Sequence, residues 1–253
     1  MEQLKTINLG PLTIHVYGLI IATAIVTCYF LAKKRSHIYK IPTSVFDSLW
    51  IFTPLVLGVI GGRIYHVLDK WSLYAKNPIS MLWIANGGLG IWGAIAGIAL
   101  GFYIFSKAKK VSFFKLLDLV APFLLLSQAI GRIGNYVNQE GFGPPTNLPW
   151  GVPIDIQNRP AQYLSFQTFH PTFFYEAILD IIGFLFLLKV AKKYKSPGQI
   201  FGHYLVYYSI SRFVTEIFRI DTWEVDGFKI SFAISIAALL IGAYLFKRKN
   251  KAV

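Results

Sequence analysis

Apolar runs of about 20 residues recur along the whole chain, and a run of that length crosses the hydrocarbon of a bilayer as one helix. They read as residues 12–32, 45–68, 87–106, 114–130, 173–190, 200–218 and 228–246. With 55% hydrophobic residues, 15% charged residues and a mean hydropathy of +0.51, a water-soluble domain is excluded. The expected fold is an all-α integral membrane protein with about seven transmembrane helices, forming one polytopic domain over residues 1–253. The first run is too long for a signal-peptide core and is followed by Lys33, Lys34 and Arg35, so it is expected to stay in the membrane.

The formal charge of +13 would suggest nucleic acid in a soluble protein. Here the basic residues cluster between apolar runs, and no nucleic-acid partner is expected. One cluster is Lys33, Lys34, Arg35 and Lys40, and the next is Lys107, Lys109, Lys110 and Lys115. Lys189, Lys192, Lys193 and Lys195 follow, and the tail carries Lys247, Arg248, Lys249 and Lys251. All fall on alternate loops, which the positive-inside rule assigns to the cytoplasm. The N-terminus is then outside and the C-terminus inside. The opposite loops, residues 69–86 and 131–169, are rich in Gly, Pro, Asn, Trp and Tyr, and residues 131–170 are expected to form a small extracytoplasmic cap. Cys28 stands alone, which excludes a disulfide framework within the chain.

Ionisable side chains inside apolar runs are costly and mark function or packing. Arg63 and His66 stand near the outer end of the second run, and Arg132 follows the fourth. Arg212, Glu216 and Arg219 are spaced i, i+4, i+7 on one helical face, with Asp118 and Asp180 nearer the other side. Glu216 either neutralises an arginine for packing or belongs to a binding site. The arginines at that depth outnumber Glu216, which calls for an anionic partner. A guanidinium fork matches phosphate oxygens, so a phospholipid headgroup fits, and a snorkelling arginine is the alternative, above all for Arg219. Arg63 is counted with the headgroup set.

The most informative stretch is Gly131-Arg132-Ile133-Gly134-Asn135-Tyr136-Val137-Asn138-Gln139-Glu140-Gly141-Phe142-Gly143, which supplies a cation, amide donors, a carboxylate and close backbone approach. It resembles the signature of the bacterial prolipoprotein diacylglyceryl transferases. The resemblance extends to Val16-Tyr17-Gly18-Leu19, to Gly61-Gly62-Arg63, to His170-Pro171-Thr172-Phe173-Phe174-Tyr175-Glu176, and to the segment from Ser211 through Arg212 and Glu216 to Arg219. It implies transfer of the diacylglyceryl group of phosphatidylglycerol to the lipobox cysteine thiol of a prelipoprotein signal peptide, with a thioether formed and glycerol phosphate released. The site then lies towards the extracytoplasmic side of a bacterial cytoplasmic membrane. Family positions fall on Tyr17, Arg132, Asn135, Gly143, Arg212, Glu216 and Arg219, with Arg132, Arg212 and Tyr17 expected to be catalytic. Asn138, Glu140 and Arg63 complete the expected headgroup set. No cofactor and no metal are expected, since His15, His37, His66 and His203 show no ligand spacing.

One departure stands out. Many relatives carry a His after a Gly-Gly-x-x-x stretch, proposed to deprotonate the thiol, whereas this chain reads Gly87-Gly88-Leu89-Gly90-Ile91-Trp92-Gly93. Trp92 cannot take a proton. The base is either another group, with His170 the nearest candidate beside a capping role, or arginine electrostatics and water assist the thiolate. A phospholipid or anion transporter is the rival reading, for it too would need arginines at bilayer depth.

Overall fold

The computed structural model describes residues 5–10, 12–83, 87–193, 196–220, 222, 224–225 and 228–247. Of the expected basic clusters, Lys195, Arg248, Lys249 and Lys251 lie outside these residues, as does Asn86 at the end of one expected loop. The described chain is mostly helical. Five helical segments are long and apolar enough to cross a membrane: Val16–Tyr39, Leu49–Asp69, Ile91–Ala108, Phe113–Asn138 and Ile230–Lys247. Two more helices have 20 residues each but are interrupted by ionisable groups. The described residues fall into two compact units, Lys40–Leu116 being one and the residues on either side of it forming the other.

Within Lys40–Leu116, 3-10 turns lead into α2 (Thr53–Asp69), which follows α1 (Val16–Arg35) in the chain. The single-turn α3 (Trp71–Tyr74) and a 3-10 turn at Pro78–Leu82 precede α4 (Ile91–Ala108). The helix expected from residue 87 begins only at Ile91, because Gly87 and Gly88 take φ values of 84° and 80° that a right-handed helix does not admit. Helices α2 and α4 touch backbone to backbone along a glycine seam. Gly90 N–H donates to Gly62 C=O at 2.8 Å, and a Cβ on Gly97 would collide with the Leu57 carbonyl. Between helices in lipid, such close backbone approach supplies the packing that hydrophobic burial supplies in water.

The other unit opens with the hairpin β1 (Thr6–Leu9) and β2 (Leu12–His15), in the register Ile7↔Ile14. It continues into α1 and is completed by α5 (Phe113–Asn138), α6 (Thr172–Ala191), α7 (Gln199–Phe218) and α8 (Ile230–Lys247). Helix α5 runs eight residues past the expected end at residue 130, so Arg132, Asn135 and Asn138 lie on its last turns and not in a loop. Cys28 on α1 bonds Ser127 Oγ on α5 at 2.9 Å. Gln128 Nε2 donates to Tyr204 Oη on α7 at 3.1 Å, and Tyr207 Oη donates to Leu179 C=O on α6 at 2.6 Å. Asp118 on α5 accepts the N–H groups of Gly198 and Phe201 at 2.6 and 2.9 Å, supplying the orphan donors where α7 starts. Between α5 and α6 lies a compact segment closed by the ladder of β3 (Val152–Pro153) with β4 (Thr168–Phe169) over the apolar residues Phe142, Ile154, Phe169 and Phe173. Near the end of α7, β5 (Glu224–Val225) pairs with β6 (Phe228–Lys229).

Gly97→Val places branched carbon against the Leu57 carbonyl and is expected to destabilise the α2–α4 pair by about 2 kcal/mol. Thermal unfolding in detergent reads this as a lowered midpoint. Gly18→Ala, whose Cβ meets nothing within 4 Å, should leave the midpoint in place.

Candidate active site

The C-terminal ends of α5 and α7 and the N-terminal end of α6 carry a cluster of ionisable residues. Glu176 lies one turn into α6, its side chain only 5% exposed. Its Oε2 pairs with Arg132 Nη2 from α5. Its Oε1 faces Arg212 Nη1 at 3.2 Å and Arg219 Nη1 at 3.6 Å, both from the end of α7. One buried carboxylate therefore joins three guanidinium groups from two other helices. Glu216, 1% exposed, pairs with Arg212 Nη2 at 2.7 Å across one helical turn.

The arginines remain 15 to 20% exposed while the carboxylates beneath them are closed off. A guanidinium carries five N–H groups in a planar fork. Each terminal nitrogen of Arg132 and Arg212 bears two of them, and the contacts named here use one per nitrogen. The remaining edges present donors to an anion. The expected excess of arginine over Glu216 is corrected by this geometry: Glu176 takes up part of it. Asp180, expected nearer the other side, lies one turn further along α6 and interacts electrostatically with Arg132 and Arg212. Directed donors, more than net charge, make this site fit an oxyanion.

The signature residues at the end of α5 form a chain. Arg132 Nη1 donates to Asn135 Oδ1 at 3.0 Å, and Asn135 Nδ2 and Asn138 Nδ2 donate to Glu140 Oε1 at 3.1 and 3.3 Å. Gln139 breaks the helix with φ 57°, which turns Glu140 back over it. Thr172 Oγ1 donates to Gly141 C=O at 2.5 Å, and Gly143 N–H donates to His170 C=O at 2.8 Å. A Cβ on Gly143 would stand 2.9 Å from Phe218 C=O and 2.8 Å from Thr172 Cγ2, so only glycine lets the ends of α6 and α7 close on this strand. Tyr17, 38% exposed, lays its ring on Gly134 and interacts electrostatically with Glu140 and Arg132. Lys229 on β6 donates to the carbonyls of Glu216 and Arg219 at 2.9 and 3.0 Å, tying down the end of α7. His170 Nδ1 lies 3.1 Å from Tyr175 Oη, which also accepts from Trp150 Nε1 at 2.9 Å.

Arg63 and Trp92 belong to the Lys40–Leu116 unit. Arg63 does not present a phosphate fork. Its Nε donates to Met81 C=O at 2.8 Å, its Nη1 to Gly87 and Gly88 at 3.0 Å, and its Nη2 to Ser80 and Trp83 at 2.8 and 2.9 Å. All five donors are thus committed to loop carbonyls, and the headgroup assignment of Arg63 is corrected to that of a loop anchor. Trp92 is the second residue of α4 and half-buried. Sequence reasoning missed Glu176 as the hub, although the His170-to-Glu176 motif contained it. Lys229 was missed as well, and its only signal was a cation just beyond the end of α7.

Long apolar helices combined with a cluster of arginines paired to buried carboxylates define a multi-pass membrane protein. A family profile described as prolipoprotein diacylglyceryl transferase matches residues 5–248. The chain belongs to the prolipoprotein diacylglyceryl transferase family. Among similar proteins is the phosphatidylglycerol–prolipoprotein diacylglyceryl transferase of a Nostoc species, 41% identical over 96% of this chain and 89% of its own length. The protein of that name from Cutibacterium acnes is 41% identical over 87% of this chain and 75% of its own length. That from Clostridium novyi is 36% identical over 94% and 93%.

Glu176→Ala leaves Arg132, Arg212 and Arg219 without the carboxylate they share and is expected to cost about 3 kcal/mol or more. The thermal midpoint should fall much further than in Glu140→Ala, where the lost hydrogen bonds come from two amides.

Proposed function

We propose that this chain transfers the diacylglyceryl group of phosphatidylglycerol to the cysteine thiol of a prolipoprotein, the reaction that the names of its relatives describe. It is a transferase of that family. The acceptor sulfur attacks the glycerol carbon bearing the phosphodiester oxygen. The C–S bond forms as the C–O bond breaks, and glycerol phosphate leaves with added negative charge on the former ester oxygen. Donors that gain strength as this charge develops lower the barrier.

The observation that carries the reading is the pair Arg132 and Arg212 held on the buried Glu176 while about a fifth of each arginine side chain stays exposed. In this reading both touch the phosphate, Arg219 and Asn135 support them, and Tyr17 faces the lipid from α1. Asn138 and Glu140 hold Asn135, and Gly143 lets the helix ends converge. The acceptor is the lipobox cysteine of the signal peptide, and both substrates arrive laterally from the bilayer. In the same reading the chain has seven spans with its N-terminus outside, and the site lies at the extracytoplasmic face of a bacterial cytoplasmic membrane. Helix α6 supports that orientation, since Glu176 lies near one end and Lys189 in the last turn at the other.

The deciding experiment incubates purified protein with phosphatidylglycerol and a lipobox peptide and measures the peptide mass. A diacylglyceryl adduct is expected. Lipid movement across proteoliposomes with no adduct would point to a transporter. Arg132→Ala and Arg212→Ala should each lower the rate about 100-fold or more at normal expression, with Lys restoring little because a point charge lacks the fork. Wild-type turnover in either variant rejects the assignment. Glu216→Gln keeps a hydrogen-bonding group beside Arg212 and should retain partial activity at an unchanged pH optimum. A shift of the optimum by about one unit would make Glu216 a proton carrier instead.

A further inference from the structure

The arginine cluster stands where a helix opposes an anion. Aligned peptide dipoles leave about half a negative charge at the C-terminal end of a helix, where the last carbonyls lack partners within it, and anions are ordinarily held at N-terminal ends instead. Arg132 stands near the C-terminal end of α5 and Arg212 near that of α7, with Arg219 directly after it. Neither helix has a basic residue in its last turn, and the last turn of α7 adds the buried carboxylate of Glu216. A phosphate brought to Arg212 and Arg219 therefore meets a negative helix end unless another group offsets it.

Lys229 is placed to do so. It lies on β6, ten residues beyond Arg219, and its Nζ donates to the carbonyls of Glu216 at 2.9 Å and Arg219 at 3.0 Å. The Glu216 carbonyl also accepts the Arg219 N–H at 3.4 Å, so the ammonium is seated on the closing turn of α7 itself. Strand β6 is held by β5 in the register Glu224↔Lys229 and Val225↔Phe228, and the exposed Glu224 accepts from Thr222 Oγ1 at 3.4 Å. Carbonyls satisfy the donors of an ammonium without cancelling its charge. The positive charge of Lys229 thus falls on the turn that carries Glu216 and ends at Arg219.

We propose that Lys229 is a positioning residue for the anion site, acting through the end of α7. On the transferase reading above, on which this rests, it has two effects. It fixes the carbonyls of Glu216 and Arg219, and with them the direction in which Arg219 leaves the helix towards Glu176. It also offsets the negative helix end, so that the phosphate of phosphatidylglycerol meets net positive potential there. The second effect scales with the charge of the ligand. Glycerol phosphate, a phosphomonoester, carries about twice the charge of the diester from which it is released, so Lys229 acts more strongly on the leaving group than on the bound lipid.

The test compares the full chain with Lys229→Arg, Lys229→Gln and Lys229→Met in one detergent–lipid mixture. Lys229→Gln keeps an N–H donor but drops the charge. Its affinity for glycerol phosphate, measured by calorimetry without peptide, should fall about tenfold, and its KM for phosphatidylglycerol should rise about threefold. The KM for the lipobox peptide should stay in place. Lys229→Arg should restore both anion values, whereas Lys229→Met should lose them as Lys229→Gln does and lower the thermal midpoint as well. Wild-type affinity for glycerol phosphate in Lys229→Gln overturns the proposal. So does an equal loss toward glycerol phosphate, phosphatidylglycerol and peptide, the mark of a merely displaced helix end. Calorimetry reads the charge effect without turnover, so absence of any adduct with wild-type protein would defeat the transferase reading alone.

Discussion

The carboxylate of Glu176 is the constraint on which the rest of the helical unit depends. Three guanidinium groups near one another in a medium of low dielectric repel strongly unless a buried anion sits between them. That anion comes from α6, which fixes the depth at which α5 and α7 present their arginines. The compact segment after α5 follows from the same arrangement. Gly141 and Gly143 are bonded to the start of α6, so the signature residues turn back over the helix ends and do not trail into solvent.

Arginine serves opposite purposes in the two units. Arg63 is saturated by five carbonyls and builds a rigid turn. Arg132 is paired with Glu176 and Asn135, and Arg212 with Glu176 and Glu216, and both side chains stay about a fifth exposed. Burial alone does not separate these roles, and neither does position in the chain. The acceptors decide, since carbonyl oxygens in a loop satisfy a guanidinium without cancelling its charge, whereas carboxylates orient it and offset that charge.

Hydropathy made the long helices legible, because length and apolar content are properties of contiguous sequence. Their ends were less so. Gly87 and Gly88 take left-handed angles that composition does not distinguish from helical glycine, and Gly131 and Gly134 read as loop while lying inside α5. The arginines and Glu216 were visible through the i, i+4, i+7 spacing on one helix. Glu176 was not, because its three partners come from helices 36 to 44 residues distant in the chain. Five backbone acceptors leave no trace in side-chain pattern, which is why Arg63 was grouped with the wrong arginines.

The charges carried by α6 also bear on how the chain enters a bilayer. Membrane insertion weighs hydrophobic segments largely one at a time, and an acidic residue near the centre of a helix opposes insertion by about 3 kcal/mol. Helix α6 brings Glu176 and Asp180, while its cationic partner Arg132 belongs to the preceding helix and already precedes it in synthesis. The order of helices along the chain thus places the arginine that pairs with Glu176 in an earlier helix than the carboxylates of α6.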